Sequence, residues 1–260
     1  MEKIIFLNKK EGETPLEALE VFRIKNKSYK DVSMTYAGRL DPLASGLLLI
    51  LAGEEVNQKQ KYLALDKEYE FEILFGFTTD TYDILGVVNN STILTNYRID
   101  NLEKEIKENL KYFTGKFVQR YPMYSSKTVK GKPLFVYARD GIDVKVPQKE
   151  VNVKSLKFIK LRKITSKNLF KNIEKRILKV TGDFRQEEIL KIWKKELTIR
   201  ISPQGKALRS YYVASFKIKC ESGTYVRSIA NSLGKKINIP TLAYSIKRTK
   251  IGEYGIINTA

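Results

Sequence analysis

The chain has 260 residues, 48 Lys plus Arg against 29 Asp plus Glu, and a formal charge of +19. It has no histidine and a single cysteine, Cys220. These counts exclude imidazole acid–base chemistry, Ser-His-Asp and Cys-His nucleophiles, a Cys/His zinc site and an intrachain disulfide. Carboxylates, Lys/Arg, hydroxyls or a bound cofactor are left to carry any reaction. Aromatic residues at 11% and charged residues at 30% suit a globular chain. The most apolar stretch, residues 47–52, is far shorter than the ~20 residues of a membrane span, and the N-terminus lacks a signal-peptide core. A lone cysteine fits a reducing compartment, so the expectation is a cytoplasmic protein. The charge points to a polyanion such as nucleic acid, or to a Lys-rich solvated surface with no partner.

In chain order, residues 3–7 (KIIFL) read as a strand. Thr14 reads as a helix N-cap with Pro15 at the first helical position, and Leu16, Leu19, Val21 and Phe22 as the helix's apolar residues. Residues 33–53 read as a Gly/Pro-punctuated loop running into an apolar strand. A helix follows over 55–65. A strand over 67–77 places Tyr69, Phe71 and Ile73 on one face. Residues 78–86 read as a polar turn, 101–113 as a helix ending near Gly115, and 117–140 as an exposed loop. Strands are expected over 150–160 and 211–220, and a helix over 225–235 with Gly234 at its C-terminal cap.

Between the last two strands lies a segment of different character, 161–209. Ser166 is expected to cap a helix through Leu178, and Asp183 a second one through about Glu196. Residues 161–200 carry net charge +7, from 12 basic and 5 acidic side chains. The expectation is one domain over 1–260, with a basic helical hairpin inserted over 161–209.

The chemical signal is concentrated in Gly38-Arg39-Leu40-Asp41-Pro42-Leu43-Ala44-Ser45-Gly46. A carboxylate between a flexible glycine and a φ-locked proline, just before a buried strand, can be presented at a cleft edge as nucleophile or base. Taken alone, the same residues also describe a turn in which Asp41 bonds its own backbone.

Four further motifs follow in order. They are Lys67-Glu68-Tyr69; Gly76 with Thr79-Asp80-Thr81, Asp83 and Gly86; Phe113-Thr114-Gly115 with Gln119, Pro122, Tyr124-Ser125, Lys127, Gly131-Lys132 and Tyr137-Ala138-Arg139; and Cys220-Glu221-Ser222-Gly223-Thr224-Tyr225-Val226-Arg227-Ser228. Together, with Lys247-Arg248 beyond them, the five motifs resemble the TruB family of tRNA pseudouridine synthases over about 1–157 and 211–257. The resemblance implies an α+β pseudouridine-synthase fold built on a mixed, largely antiparallel sheet. It implies an isomerase that detaches a T-loop uridine at tRNA position 55, rotates it and rejoins it through carbon 5. No cofactor and no metal are implied; the partner is the tRNA T arm, without a membrane, and the chain is expected to be a monomer.

By the same resemblance Asp41 is the essential aspartate, attacking the nucleoside or stabilising its cleavage, and Arg227 is its paired cation. Tyr69 stacks on the flipped base, and Asp83 lies beside the flipped nucleotide or serves as a turn residue. Tyr225 forms pocket wall or core. Lys9 is the family's N-terminal lysine or a solvated one. Lys127, Lys130 and Lys132, interleaved with Phe135 and Tyr137, form an RNA clamp or a solvated loop.

Three departures accompany the match. Tyr36 stands where the family usually has a histidine that stacks neighbouring bases. Lys10 replaces a proline. No C-terminal PUA domain is expected, and the basic hairpin is read as replacing part of its RNA contact. A tRNA-binding chaperone and a general nucleic-acid binder are the competing readings.

Overall fold

The computed structural model describes residues 1–94, 99–198 and 210–256. In chain order the elements are β1 (Ile4–Lys9), α1 (Pro15–Lys25), β2 (Met34–Ala37), β3 (Ala44–Ala52), α2 (Lys59–Ala64), β4 (Lys67–Phe75), β5 (Phe77–Thr79) and β6 (Val88–Ser91). Next come α3 (Ile99–Asn109), β7 (Gly115–Arg120), β8 (Thr128–Val129), β9 (Lys132–Pro133), α4 (Leu134–Arg139), β10 (Gln148–Thr165) and α5 (Ser166–Ile177). The last are α6 (Gln186–Thr198), β11 (Ser210–Cys220), α7 (Val226–Lys236), β12 (Thr241–Ile251) and β13 (Tyr254–Gly255). The fold is α+β. A nine-stranded sheet runs β1-β3-β12-β4-β11-β10-β7, with β2 added on β3 and β13 on β12. Among the described residues, β3 and β12 are the only named strands that pair in parallel; the other strand pairs of that sheet are antiparallel.

β3 is apolar at nearly every position because both of its faces are buried. Leu48 and Ile50 pack under α1, whereas Leu47, Leu49 and Leu51 face Tyr62 and Ile251. On β4 the alternation separates two environments. Phe71, Ile73 and Phe75 enter the core beneath α3 and α7. On the opposite face Leu74 is covered by the α5–α6 hairpin, while Glu68, Glu70 and Glu72 pair across the sheet with Lys219, Lys217 and Arg162. Such exposed pairs contribute at most about 1 kcal/mol each.

The hairpin is an integral layer of the fold. Leu169, Ile173, Ile177, Val180, Ile189, Trp193 and Leu197 are buried against Leu74, Phe77, Ile84, Tyr211, Val213 and Leu242. Burial stabilises each such side chain by about 1.5–3 kcal/mol. Trp193 also donates from Nε1 to Ile84 O at 3.1 Å, which ties α6 to the turn that follows β5. Among the described residues no helix is long and apolar enough to cross a membrane.

Several local expectations change. The hairpin starts at Ser166 rather than 161, because Leu161, Arg162, Lys163, Ile164 and Thr165 pair with β11. Thr165, not Ser166, caps α5, accepting from Asn168 N at 3.3 Å. Asp183 accepts from Arg185 N in the turn, and α6 begins only at Gln186. The far end expected for the insertion, 199–209, lies outside the described residues.

In α1 the capping box of Thr14 and Glu17 is present, but Leu16 and Val21 are exposed. The buried stripe is Pro15, Ala18 and Leu19 with Phe22 beside it, which is the i, i+3, i+4, i+7 spacing of one helix face. The stretch before Gly38 forms β2, not loop, and 117–140 holds β7, the β8–β9 ribbon and α4. Gly234 lies inside α7. A Cβ there would sit 2.0 Å from Thr241 Oγ1, so the glycine permits close packing of α7 on β12 rather than ending the helix.

Candidate active site

A cavity of about 560 Å³ opens across the middle of the sheet. Its walls combine the 38–44 loop, β4, the turn after β5, the segment 124–126, the hairpin tip and the start of α7.

Asp41 sits at its edge. The loop holding it is fixed from three sides. Ala44 N donates to Asp41 O at 3.0 Å, closing a turn. Buried Lys9 donates from Nζ to Lys10 O, Pro42 O and Ala44 O at 3.0, 3.1 and 2.6 Å. Buried Arg248 donates from Nε to Leu47 O at 2.7 Å and from Nη2 to Gly38 O at 3.0 Å. Gly46 has φ +102, and a Cβ there would lie 2.2 Å from Arg248 O, so only glycine fits.

Arg227, on the first turn of α7, reaches Asp41 side-on: Nε to Oδ2 at 2.7 Å and Nη2 to Oδ1 at 3.0 Å. Its remaining donors go to Thr81 O at 2.5 Å and Tyr124 O at 3.2 Å. Asp83 Oδ2 lies 3.7 Å from Arg227 Nε. Asp83 is itself held by Thr81 Oγ1 at 2.8 Å and Leu85 N at 2.9 Å. Burial raises its pKa from 3.8 to about 6, with Arg227 opposing and Asp41 adding to the rise. Arg227 is thus a buried cation between two carboxylates, its own pKa raised because they outweigh its desolvation.

Tyr69 and Tyr225 line the same cavity, and burial raises both phenols above their ordinary value. Tyr225 is anchored through its backbone: its N–H donates to Gln119 Oε1 at 2.8 Å, and Gln119 Nε2 donates to Tyr225 O at 3.1 Å.

Of the nine site residues taken from the sequence, the structure brings five to the cavity wall: Asp41, Tyr69, Asp83, Tyr225 and Arg227. The other four stand outside it. Lys9 lies beneath the Asp41 loop with its ammonium occupied by three carbonyls, and burial lowers its pKa to about 8. It is therefore not a solvated lysine. Tyr36 lies on β2, where Lys59 and Arg39 approach its ring at 5.6 and 5.9 Å. Only Arg39 extends to the cavity, and it also donates to Ser126 Oγ. Lys127 covers the Tyr121 ring at 5.5 Å, and that ring meets Tyr225 edge-on at 5.6 Å. Lys132 is exposed on β9.

Sequence reading gave no role to Lys67, Gln119, Arg185 or Arg248. Lys67 and Gln119 were visible only as motif letters. Lys67 is buried, donates to Leu63 O and Leu65 O at 2.6 and 2.5 Å, and has its pKa lowered to about 8 by burial. No sequence signal marked Arg185.

Comparison with known proteins shows the family. The family described as TruB family pseudouridylate synthase (N terminal domain) matches residues 26–176. Proteins named tRNA pseudouridine synthase B match nearly all of this chain. That of Caldicellulosiruptor saccharolyticus is 28% identical over 256 residues, 98% of this chain and 69% of the relative. That of Borreliella afzelii is 31% identical over 248 residues, 95% and 69%. That of Malacoplasma penetrans is 27% identical over 254 residues, 97% and 86%.

Two solved structures share the fold. A Cbf5-Nop10-Gar1 complex gives a TM-score of 0.54 at 17% identity, covering 97% of this chain and 49% of that one. An H/ACA RNP bound to a substrate RNA containing 2'-deoxyuridine gives 0.52 at 16% identity, covering 97% and 48%. The chain therefore spans about half the length of those solved chains, and at such identity the likeness speaks for the fold alone. With more than half of its length matched by the family, relatives along nearly all of it, and an Asp41–Arg227 pair in a cleft across the sheet, the chain belongs to the TruB family of pseudouridylate synthases.

Proposed function

We propose that the protein isomerises the T-loop uridine at tRNA position 55 to pseudouridine, with Asp41 as nucleophile. The observation that carries the reading is the two-point Arg227–Asp41 contact at the edge of a cavity large enough for a flipped nucleoside. A buried guanidinium keeps a carboxylate ionised and aims both of its oxygens, which an attacking group needs. Asp41 bonds to the ribose as the glycosidic carbon–nitrogen bond breaks, and the base carries away that electron pair and turns. Carbon 5 of the base then bonds to the ribose and displaces Asp41 as the free carboxylate, the proton on carbon 5 leaves and the freed nitrogen takes one up, so the product is an isomer.

Tyr69 stacks on the base and Asp83 and Tyr225 border the nucleotide, since all three line the cavity with Asp41. The basic 127–139 segment grips the T arm beside this opening. One catalytic domain with the hairpin inserted in it is the reading of the organisation, because a single sheet runs from β1 to β12. A monomer is the expected state, and a cytoplasmic setting follows from the tRNA substrate.

The test is release of tritium from tRNA labelled at uridine carbon 5. Release by the wild type and its loss in Asp41→Asn support the isomerase. Binding without release by the wild type would instead support a tRNA-binding chaperone.

A further inference from the structure

We infer that Arg185, at the tip of the α5–α6 hairpin, is a positioning residue for the Asp41–Arg227 pair; the inference rests on the chemistry proposed above for that pair. The tip is built to hold a side chain in one place. Arg185 has φ 62, a left-handed backbone that a non-glycine residue adopts only when its surroundings impose it. Gln186 imposes part of this by donating to Val180 O and Gly182 O at 3.0 and 2.7 Å and accepting from Phe184 N at 2.8 Å. Arg139 donates to Asp183 O at 3.2 Å, which ties the tip to α4.

From this tip the Arg185 guanidinium enters the wall of the cavity that holds Asp41. It does two things there. Nη2 donates to Asp80 Oδ2 at 2.8 Å, and its plane covers the Tyr124 ring at 4.8 Å. Asp80 in turn accepts from Val87 N at 2.8 Å, so the turn after β5 is braced from both sides.

The two groups that Arg185 holds bear directly on Arg227. Arg227 donates to two backbone carbonyls besides the Asp41 carboxylate: Tyr124 O, on the residue whose ring Arg185 covers, and Thr81 O, on the residue after Asp80. Arg185 therefore clamps together the two segments that aim Arg227 at Asp41. A side chain of the inserted hairpin fixes the geometry of the reacting carboxylate without touching it. An ordinary partly exposed ion pair, with both side chains about a quarter exposed, would contribute little to stability and nothing to rate.

Steady-state tritium release from carbon-5-labelled tRNA separates the two. Arg185→Ala is expected to lower kcat about tenfold or more while KM stays within about twofold, because positioning is felt in the transition state rather than in RNA binding. Its thermal midpoint is expected to stay within about 3 °C of wild type. Arg185→Lys, which keeps the Asp80 pair, is expected to recover at least about a third of the lost rate. Asp80→Asn combined with Arg185→Ala is expected to be no slower than Arg185→Ala alone, since both act through one clamp.

If Arg185→Ala unfolds, the rate and KM of Arg185→Lys and Asp80→Asn decide by the same criteria. A kcat within about twofold of wild type in Arg185→Ala overturns the inference. So does a rise in KM with kcat unchanged, which would make Arg185 an RNA contact. In both cases wild-type release leaves the isomerase reading standing. No release by the wild type overturns both.

Discussion

Arg227 grips Asp41 through two parallel donors at 2.7 and 3.0 Å, yet the two side chains differ in exposure: 4% for the arginine and 36% for the aspartate. The cation is sealed in the fold while the carboxylate faces the cavity, so one partner is structural and the other is available for chemistry. Arg227→Lys keeps the charge but cannot span both oxygens and also reach Thr81 O and Tyr124 O. The expected result is loss of release by about a thousandfold with tRNA affinity retained. Arg227→Ala leaves Asp41 and Asp83 facing each other without their cation. It is expected to cost about 3 kcal/mol as well, the low end for a broken buried pair because Asp41 keeps access to water. Rate assays and urea unfolding of the two variants check this; a lysine variant with wild-type rate would contradict it.

Asp83 carries a pH signature that can be separated from the reaction. Burial lifts its pKa from 3.8 to about 6. Between these values the folded chain holds a proton that the unfolded chain has released. Stability from this group is therefore full below pH 4 and falls as pH rises through 6. Asp83→Asn stays neutral throughout. Relative to wild type, the variant is expected to gain on the order of 2 kcal/mol between about pH 4.5 and 7. Urea unfolding at the two pH values measures the difference, and parallel shifts in both proteins would refute the assignment.

Lys9 supports the Asp41 loop from below. Lys9→Met keeps the stem but strips Lys10 O, Pro42 O and Ala44 O of their shared donor. The loss is expected to be about 2 kcal/mol, or about 4–8 °C in thermal midpoint, with slower release and unchanged tRNA affinity. A selective loss of tRNA affinity with the midpoint preserved would restore Lys9 to the substrate surface. The protonation of Lys9 gives a second check. Its folded pKa of about 8 lies below the ordinary 10.5. Wild-type stability from this group therefore rises with pH between these values, and the variant lacks that rise.

What was legible in the sequence follows the range of each signal. Apolar runs and caps gave β1, α1, β3 and β4, because these depend on neighbours within a few residues. The Asp41 loop was legible only through the ordered motifs around it: alone its residues also describe a turn, and Gly46 is required by the approach of Arg248 from β12. Which face of α1 is buried was not legible. Leu16 and Val21 are as apolar as Leu19, and only the position of β1–β3 decides among them. Gly234 misled because a glycine near a helix end usually marks a cap, whereas here Thr241 approaches it from β12. Lys67 was legible only as a motif letter, and Lys9 read almost as well as a solvated lysine. The burial of Lys9 depends on Pro42 O and Ala44 O, supplied by a loop that the sheet brings alongside, whereas Lys67 donates to carbonyls only 4 and 2 residues away. The reach of Arg185 to Asp80 and Tyr124 spans 105 and 61 residues of sequence, and no local pattern encodes it.

The ribbon of β8 and β9, with α4 behind it, is short and held by few bonds: Leu134 N to Lys127 O at 2.8 Å, Phe135 N to Ser125 O at 3.1 Å and Tyr137 OH to Val129 O at 2.9 Å. It presents Lys127, Lys130 and Lys132 to solvent beside the cavity. If these lysines meet phosphates of the T arm, each contact releases counterions, and tRNA affinity falls steeply between about 50 and 200 mM salt. Lys127→Ala and Lys132→Ala are each expected to weaken binding at low salt and to flatten the log Kd against log salt slope by about 1. Lys127 has a further consequence, because its ammonium lies over Tyr121, which supports Tyr225. Lys127→Ala is therefore expected to slow release at saturating tRNA, whereas Lys132→Ala is not. Filter binding across a salt series, with release assays on the same variants, tests both statements. An unchanged salt slope in both variants would remove the ribbon from the RNA interface, and equal rates at saturation would remove the Lys127–Tyr121–Tyr225 link.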